Sequence, residues 1–192
     1  MGEHVHVAAG SSVRADEGTP FFLGDNTNVQ DGVVIHALKD RHVLVRGEAW
    51  AVYVGRNVSI AHDALVHGPC YIGDDTFIGF KAVVHDSVVG RHCFIGIGAV
   101  VVGVEIPDGK RVPHGTIVAD ADAVDRLPDA ESAHHEFNED VVEVNRGLAL
   151  AYQVAEAPRT HERHESHARD ERRPAAPWDE AWAPLRLGKD TV

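Results

Sequence analysis

The sequence predicts a mainly β protein, a parallel β-helix of hexapeptide repeats that is followed by one α-helix. Three observations support this prediction: an aliphatic residue recurs at six-residue spacing over residues 54–101 with one step of five, glycine often follows it, and aromatic residues make up only 6% of the chain. A period of six fits neither the 3.6-residue period of a helix nor the alternation of a flat strand. It fits a solenoid in which three short strands and three corners form one coil around a narrow aliphatic core.

The repeat residues define the coils. They occur with a single shorter step before Val89, and they are Val54, Ile60, Val66, Ile72, Ile78, Val84, Val89, Ile95 and Val101. The same spacing appears earlier in the chain, at Val7 and Val13 and then at Leu23, Val29 and Ile35. The predicted β-helix therefore covers residues 1–118. A longer interruption at residues 37–53 has apolar segments, 42–45 and 50–53, on both sides of Arg46-Gly47-Glu48, which predicts a hairpin. Beyond Val101 the repeat weakens around two prolines, which predicts loosened last coils.

Residues 119–157 are expected to form a connector and the C-terminal helix. Asn138 is the predicted N-cap of this helix, because asparagine accepts hydrogen bonds from the first turn. Apolar residues then recur at helical spacing, which predicts a face packed along the solenoid; they are Val141, Val144, Leu148 and Tyr152. Residues 158–192 are rich in charge, histidine and proline, so we predict a disordered tail whose partner the sequence does not identify.

Composition narrows the range of partners. The formal net charge of −12 argues against nucleic acid or an anionic membrane as a partner. The two cysteines, Cys70 and Cys93, do not form a disulfide framework, so we expect a reducing, cytoplasmic environment. Residues 1–6 lack the pattern of a signal peptide, and no apolar run is long enough to span a membrane.

Counting strands in threes gives the solenoid three faces, which we call a, b and c. Ile35 and Val66 both fall on face c, one coil apart, and each is followed directly by a histidine, His36 and His67. These two side chains leave the same face about 4.8 Å apart, which is close enough for both to bind one metal ion. Two other residues occupy the same offset on face c. Arg14 lies one coil below His36, and His85 lies above His67 as a rival ligand.

A third histidine, His62, leaves face b. Asp31 has the same offset one coil below, with Gln30 beside it. His62 and His67 leave different faces, so we do not expect them to reach one metal ion within a single chain. If three such prisms pack about a threefold axis, His62 of a neighbouring copy completes a set with His36 and His67. Three neutral imidazoles and an open position are typical of catalytic zinc.

Three motifs resemble those of the gamma-class carbonic anhydrases, a group that includes the similar N-terminal domain of a carboxysome assembly protein. The motifs are Arg14-Ala15-Asp16-Glu17-Gly18, Asn28-Val29-Gln30-Asp31-Gly32-Val33-Val34-Ile35-His36, and His62-x4-His67-Gly68-Pro69. The resemblance covers about residues 5–155. It implies a left-handed β-helix, whereas the usual crossover rule would predict a right-handed one. It also implies a homotrimer with three metal sites between subunits.

The resemblance further implies roles for individual residues. One zinc ion, or one ferrous ion, is held per chain by His36, His62 and His67. Three residues orient the metal-bound water, the substrate and the proton: Glu17, Gln30 and Asn145. A third set forms buried ion pairs between subunits: Arg14, Asp16 and Asp31. Arg14 is also expected among the catalytic residues.

One loop position differs from the family pattern. The family prototype carries a glutamate as proton shuttle three residues after its first ligand histidine, whereas this chain has Lys39 there. His42 lies three residues further on, and its imidazole could relay protons near neutral pH. We therefore predict His42 as a proton shuttle, with Asp40 as the alternative.

Three functions are compatible with these residues. The first is reversible hydration of carbon dioxide to bicarbonate by attack of metal-activated hydroxide. The second is a non-catalytic bicarbonate-binding or scaffold trimer of the same fold. The third is a hexapeptide acyltransferase, which needs one catalytic histidine and a coenzyme A groove rather than three converging histidines.

Overall fold

The computed structural model describes residues 1–156, and it confirms a parallel β-helix with a C-terminal helix. Numbered in chain order, the strands are β1 (His6–Val7), β2 (Ser12–Val13), β3 (Phe21–Leu23), β4 (Asn28–Val29), β5 (Val34–Ala37), β6 (Val43–Val45), β7 (Glu48–Trp50), β8 (Val52–Val54), β9 (Ser59–Ile60), β10 (Leu65–Gly68), β11 (Cys70–Ile72), β12 (Phe77–Ile78), β13 (Val83–His85), β14 (Val88–Val89), β15 (Phe94–Ile95), β16 (Val100–Val102), β17 (Glu105–Ile106), β18 (Arg111–Val112) and β19 (Ile117–Val118). The helices are α1 (Ala121–Asp125) and α2 (Ser132–Glu156).

Three parallel sheets form the predicted faces of the solenoid. Face a contains β3-β8-β11-β14-β17, face b contains β1-β4-β9-β12-β15-β18, and face c contains β2-β5-β10-β13-β16-β19. Each strand pairs with the strand of the same face in the next coil, and the register aligns the repeat residues. Residues with the same offset in successive coils therefore lie directly above one another.

The repeat residues form the core. All nine aliphatic residues of the run from Val54 to Val101 have 0% relative exposure. Glycine follows many of them because the corners of adjacent coils nearly touch. A Cβ on Gly73 would lie 2.6 Å from the backbone nitrogen of Arg91, and backbone cannot move aside as a flexible side chain can.

The last coils are more regular than the sequence suggested. Ile106, Val112 and Val118 continue the repeat with at most 1% exposure, so the prediction of loosened coils was wrong. Pro107 and Pro113 each follow a strand and occupy corners, where no backbone N–H is needed for the sheet ladder.

The insertion at residues 37–53 contains the predicted hairpin, but the hairpin is shorter than expected. Strands β6 and β7 pair antiparallel around Arg46 and Gly47, which both have positive φ angles, as a two-residue hairpin turn requires. Val52, which was predicted to lie in the hairpin, begins strand β8 of face a instead. Val52 and Val54 are buried and Tyr53 is not, so this segment alternates as a solenoid strand does.

The C-terminal helix begins earlier than predicted. Helix α2 starts at Ser132, and Asn138 lies within it rather than at its N-cap. Asn138 is 4% exposed, and its side-chain nitrogen donates to the backbone oxygen of Asn57 at 3.1 Å. The asparagine is therefore an anchor between the helix and the solenoid, which a local capping rule cannot recognise.

The side of α2 that faces the solenoid also differs from the prediction. The most buried positions along the helix are Asn138, Asn145 and Ala149, whereas Val144 and Tyr152 are 64% and 58% exposed. The helix lies over face b, where Asn138 and Asn145 are turned towards the solenoid and make hydrogen-bond contacts with it. Val144 and Tyr152 are left largely exposed, whereas Phe137 packs edge-on against Phe77 with ring centroids 5.1 Å apart.

Cys70 and Cys93 are buried free thiols. The helices among residues 1–156 include none that combines the length and apolar character of a membrane span. The tail predicted to be disordered, residues 158–192, lies outside the described residues.

Candidate metal centre and adjoining cleft

Three histidines form a column on face c. The predicted register is confirmed, since His36 pairs with His67, and His67 pairs with His85 in the next coil. The ring centroids of His36 and His67 are 5.4 Å apart, and those of His67 and His85 are 5.2 Å apart. Both His36 and His85 are therefore within reach of a ligand bound at His67, and geometry within one chain does not choose between them.

His67 has the chemistry of a metal ligand. Burial lowers the pKa of its imidazole, and the neighbouring His85 and His36 lower it further. The ring is therefore neutral at neutral pH, the state in which histidine binds metals. Its Nδ1 atom is buried and has no hydrogen-bond partner among the described residues. Such an orphaned nitrogen beside a second imidazole fits a site that a metal ion completes.

The segment that follows Arg14, the residue one coil below His36, brings acidic side chains to the same column. The Nε2 atom of His36 lies 2.9 Å from Oδ1 of Asp16, and Nη1 of Arg14 lies 3.2 Å from the other oxygen of that carboxylate. The hydrogen bond from His36 lowers the pKa of Asp16, and the charge of Arg14 lowers it further. Ligand atoms of Asp16, Glu17 and His36 all lie within 4.8 Å of one another. This group can therefore hold or orient a cation.

The third predicted ligand occupies face b. Nδ1 of His62 lies 3.2 Å from Oδ2 of Asp31, and the two side chains are 51% and 65% exposed. The ring of His62 stacks on Phe80 with centroids 5.6 Å apart. His62 thus projects from the solenoid at a fixed angle, with its face towards solvent in the single chain.

Gln30 is held by a short chain of buried amides. Its Nε2 donates to Oδ1 of Asn28 at 3.0 Å, and Nδ2 of Asn28 donates to the hydroxyl of Ser59 at 2.9 Å. This hydrogen bond uses one N–H of the Gln30 amide and fixes its orientation, and its carbonyl oxygen can accept a hydrogen bond. Gln30 can therefore orient a water molecule or a substrate hydroxyl.

An open cleft of about 930 Å³ lies between face b and helix α2. We call it the His62 cleft; its polar lining is formed by His6, Gln30, Asp31, His62, Asp140 and Asn145. Its apolar lining includes the outward side of α2, with Val144, Leu148 and Tyr152, and also Phe80. The polar residues and the exposed apolar side chains of the helix therefore form one continuous surface.

Sequence reasoning missed two polar members of this region, His6 and Asn28. His6 begins β1 and pairs with Asn28, so both lie on the outward row of face b. Nδ1 of His6 lies 3.0 Å from Oδ1 of Asn145. The signal was present in part, because His6 precedes Val7 as Asn28 precedes Val29. Its contact with Asn145 depends on how α2 docks, which the repeat does not reveal.

The structure thus divides the predicted site between two faces. Arg14, Asp16, Glu17, His36 and His67 lie together on the face-c side. On the face-b side, the His62 cleft collects the other predicted site residues; they are Gln30, Asp31, His62 and Asn145.

The loop residues lie apart from the His62 cleft. Lys39 and His42 are exposed, and His42 lines a separate shallow depression with Pro69 and Asp86. The side chain of Asp86 is bound by Arg41 at 3.3 Å. The role of His42 as a proton shuttle stays a prediction.

These features define a hexapeptide-repeat β-helix protein with a candidate metal centre. No protein-family model matches the chain. It is 45% identical over 164 residues to a carbonic anhydrase of Methanosarcina thermophila, across 79% of this chain and 66% of that protein. It is 44% identical over 156 residues to the carboxysome assembly protein CcmM of a Nostoc species, across 81% of this chain but only 28% of that protein. Mitochondrial gamma carbonic anhydrase 1 of Arabidopsis thaliana is 36% identical over 59% of this chain and 40% of its own length.

The chain therefore belongs to the gamma carbonic anhydrase family, together with these relatives. Among solved structures, a hexapeptide transferase family protein from Anaplasma phagocytophilum superposes with a TM-score of 0.63 over 79% of this chain and 80% of its own. The two sequences are only 19% identical, so this likeness concerns the fold alone.

Proposed function

We propose that the chain forms a homotrimer that catalyses the reversible hydration of carbon dioxide to bicarbonate. One Zn²⁺ or Fe²⁺ ion per chain would be held by His36 and His67 of one copy and His62 of the next. The observation that carries this proposal is the division of three histidines between two faces of a rigid prism. Imidazoles that leave different faces need a second copy to approach one ion at about 2.0–2.1 Å.

The donor set fits such an ion. Histidine ligands suit Zn²⁺ and Fe²⁺, and the lowered pKa of His67 keeps that ligand unprotonated. The exposed apolar side of α2 supports an assembly, because Val144 and Tyr152 line the same cleft as His62 and would be covered by a neighbouring copy. Arg14, Asp16 and Asp31 would then form the ion pairs between subunits that the family resemblance implies.

The residues of the chain would divide the chemistry. When bound, the ion acidifies water and so supplies a nucleophile near neutral pH. Gln30, held by Asn28, presents a carbonyl oxygen that accepts a hydrogen bond from the nucleophile or from the hydroxyl of bicarbonate. Glu17 beside His36 is placed to hold a proton, and Asn145 borders the cleft through which the substrate enters. His42 remains the loop candidate for proton transfer to solvent.

A second candidate function is a bicarbonate-binding or scaffold trimer without turnover. Two observations favour it. Lys39 stands where the family prototype has its shuttle glutamate, and an ammonium group cannot accept a proton near neutral pH. The similar Nostoc protein is a carboxysome assembly protein. An acyltransferase shares only the fold with this chain.

Stopped-flow hydration of carbon dioxide by anaerobically purified protein, with metal content measured on the same sample, tests the proposal. We expect one ion per chain and turnover that scales with metal content. His67→Ala should lose nearly all metal and activity, whereas His85→Ala, one coil above, should lose little. Full metal occupancy without hydration would favour the scaffold function. Equal metal loss in both variants would refute the ligand assignment.

A further inference from the structure

We propose that His6 is a proton-relay residue of this site, held in one tautomer by Asn145. This inference rests on the proposed function. Hydration of carbon dioxide releases one proton for every bicarbonate formed, so a base must accept that proton and pass it to solvent or buffer. None of the three sequence motifs includes a residue of the first strand of the solenoid, β1, where His6 lies.

The hydrogen bonds of Asn145 determine the tautomer of His6. Nδ2 of Asn145 donates to the backbone oxygen of Val141 at 2.9 Å, which turns its Oδ1 towards His6. That oxygen can only accept, so Nδ1 of His6 must carry the hydrogen across their 3.0 Å contact. In the neutral ring, Nε2 is consequently the unprotonated nitrogen. Because of this contact with Asn145, Nε2 is the atom of His6 that can take up a proton.

Packing holds the ring in this orientation. The ring of Tyr152 stacks on His6 with centroids 5.8 Å apart and planes 9° apart. When Nε2 takes up a proton, Nδ1 keeps its hydrogen and its bond to Asn145, so neither residue has to turn. A base that changes charge without rearranging its partners is well suited to repeated proton transfer.

His6 is placed at the outer end of the cleft that contains His62. Strand β1 is two strand spacings, or roughly 10 Å, from β9, and His62 follows β9. The cleft between them is open and large enough for a chain of water molecules, and Gln30 and Asp31 line it. His6 can therefore receive a proton through water from the region of His62 and release it at the first coil.

The groups that line the cleft beside His6 include two carboxyl side chains, those of Asp140 in α2 and Asp31 in the solenoid. The other groups are His62 within the cleft and Tyr152 across the ring. Lys39, at the loop position, cannot replace such a base.

The test compares His6→Ala with His92→Ala, which changes an exposed histidine on another corner of the solenoid. In weakly buffered stopped-flow assays, His6→Ala should lower kcat for hydration at least about tenfold. Added imidazole should restore kcat, while kcat/KM stays unchanged. Exchange between carbon dioxide and bicarbonate at chemical equilibrium, which needs no net proton release, should also stay unchanged. His92→Ala should match the unmodified protein.

The outcomes separate the two proposals. Unchanged kcat in His6→Ala at low buffer, with normal equilibrium exchange, would overturn the role of His6 and leave the proposed function standing. A loss in His42→Ala alone would assign the relay to the loop and would equally overturn it. Absence of equilibrium exchange in the metal-loaded, unmodified protein would refute the proposed function itself.

A second measurement does not depend on activity. Carbon-13 shifts of labelled histidine in the metal-free protein report which ring nitrogen carries the hydrogen. We expect His6 in the Nδ1–H tautomer, assigned by the signal that disappears in His6→Ala. An Nε2–H tautomer would overturn the inference even if the enzyme proves active.

Discussion

A metal site that is shared between two chains should be recoverable by mixing two inactive variants. His62→Ala keeps His36 and His67 on face c, and His67→Ala keeps His62 on face b. Each variant alone lacks one ligand at every interface, so neither should bind metal tightly. In a mixed trimer, an interface that takes face c from the first variant and face b from the second has all three histidines.

The expected recovery follows from the geometry. If the variants are unfolded together in equal amounts and refolded, each interface draws its two chains independently. About one quarter of the interfaces then carry the intact combination, since the sites of a cyclic trimer are equivalent. About three quarters of the trimers should hold one metal ion each. Any hydration activity should return in the same proportion.

The assay is metal content per trimer after refolding, with mixing verified by native mass spectrometry of a mass-tagged variant. A mixture of His36→Ala with His67→Ala is the matched control, because both defects lie on face c and no combination of chains restores a site. Mixed trimers of the test pair that bind no metal would refute the shared site. Equal recovery in the control would show that the histidines are not the ligands.

Three further predictions concern assembly, reactivity and packing. Asp31→Ala should dissociate the proposed trimer in sedimentation. Asp31 is exposed in the single chain but would form an ion pair buried between subunits, and removing one partner of such a pair costs about 3–5 kcal/mol; a stable trimer with normal metal content would contradict this. Burial raises the pKa of Cys70 from 9.0 to about 12, so its thiol should resist alkylation at pH 8, and stability should fall as pH rises above 9 because the unfolded thiol loses its proton first. Rapid labelling of the native protein would show that it is not buried. Gly73→Ala should destabilise by about 1–3 kcal/mol in denaturant titrations, because its Cβ meets backbone at 2.6 Å. Gly147→Ala, where a Cβ meets nothing within 4 Å, should be neutral or stabilising, and equal effects would refute the corner argument.

The repeat made the site predictable because the register of a parallel β-helix can be counted. Once Ile35 and Val66 are recognised as equivalent, His36 and His67 must be neighbours, and the structure pairs them in that register. The same count separates His62 from both. The register count could not decide whether His36 or His85 is the second metal ligand, since both are one strand away from His67. That choice depends on where a neighbouring copy places its imidazole.

The helix was predicted less well because its environment is not local. Apolar spacing pointed to Val144 and Tyr152 as the packed face, but both are exposed. Hydrogen-bond contacts with the solenoid select the buried side instead. Asn138 donates to the backbone oxygen of Asn57, and Asn145 contacts His6 on face b. A periodicity argument assumes that the buried side is apolar, and that assumption fails where a helix covers hydrogen-bonding groups.

By itself, the sequence determined the β-helix, its three faces and the alignment of the candidate metal ligands. In a six-residue repeat, the position of a residue within the repeat determines the face from which its side chain projects. Only the tertiary structure decided which side of α2 meets the solenoid, where the hairpin ends and β8 begins, and that His6 lies against Asn145. These features depend on contacts between segments up to 139 residues apart in the chain. Such contacts are selected by hydrogen bonding and packing across the whole fold, which no local pattern encodes.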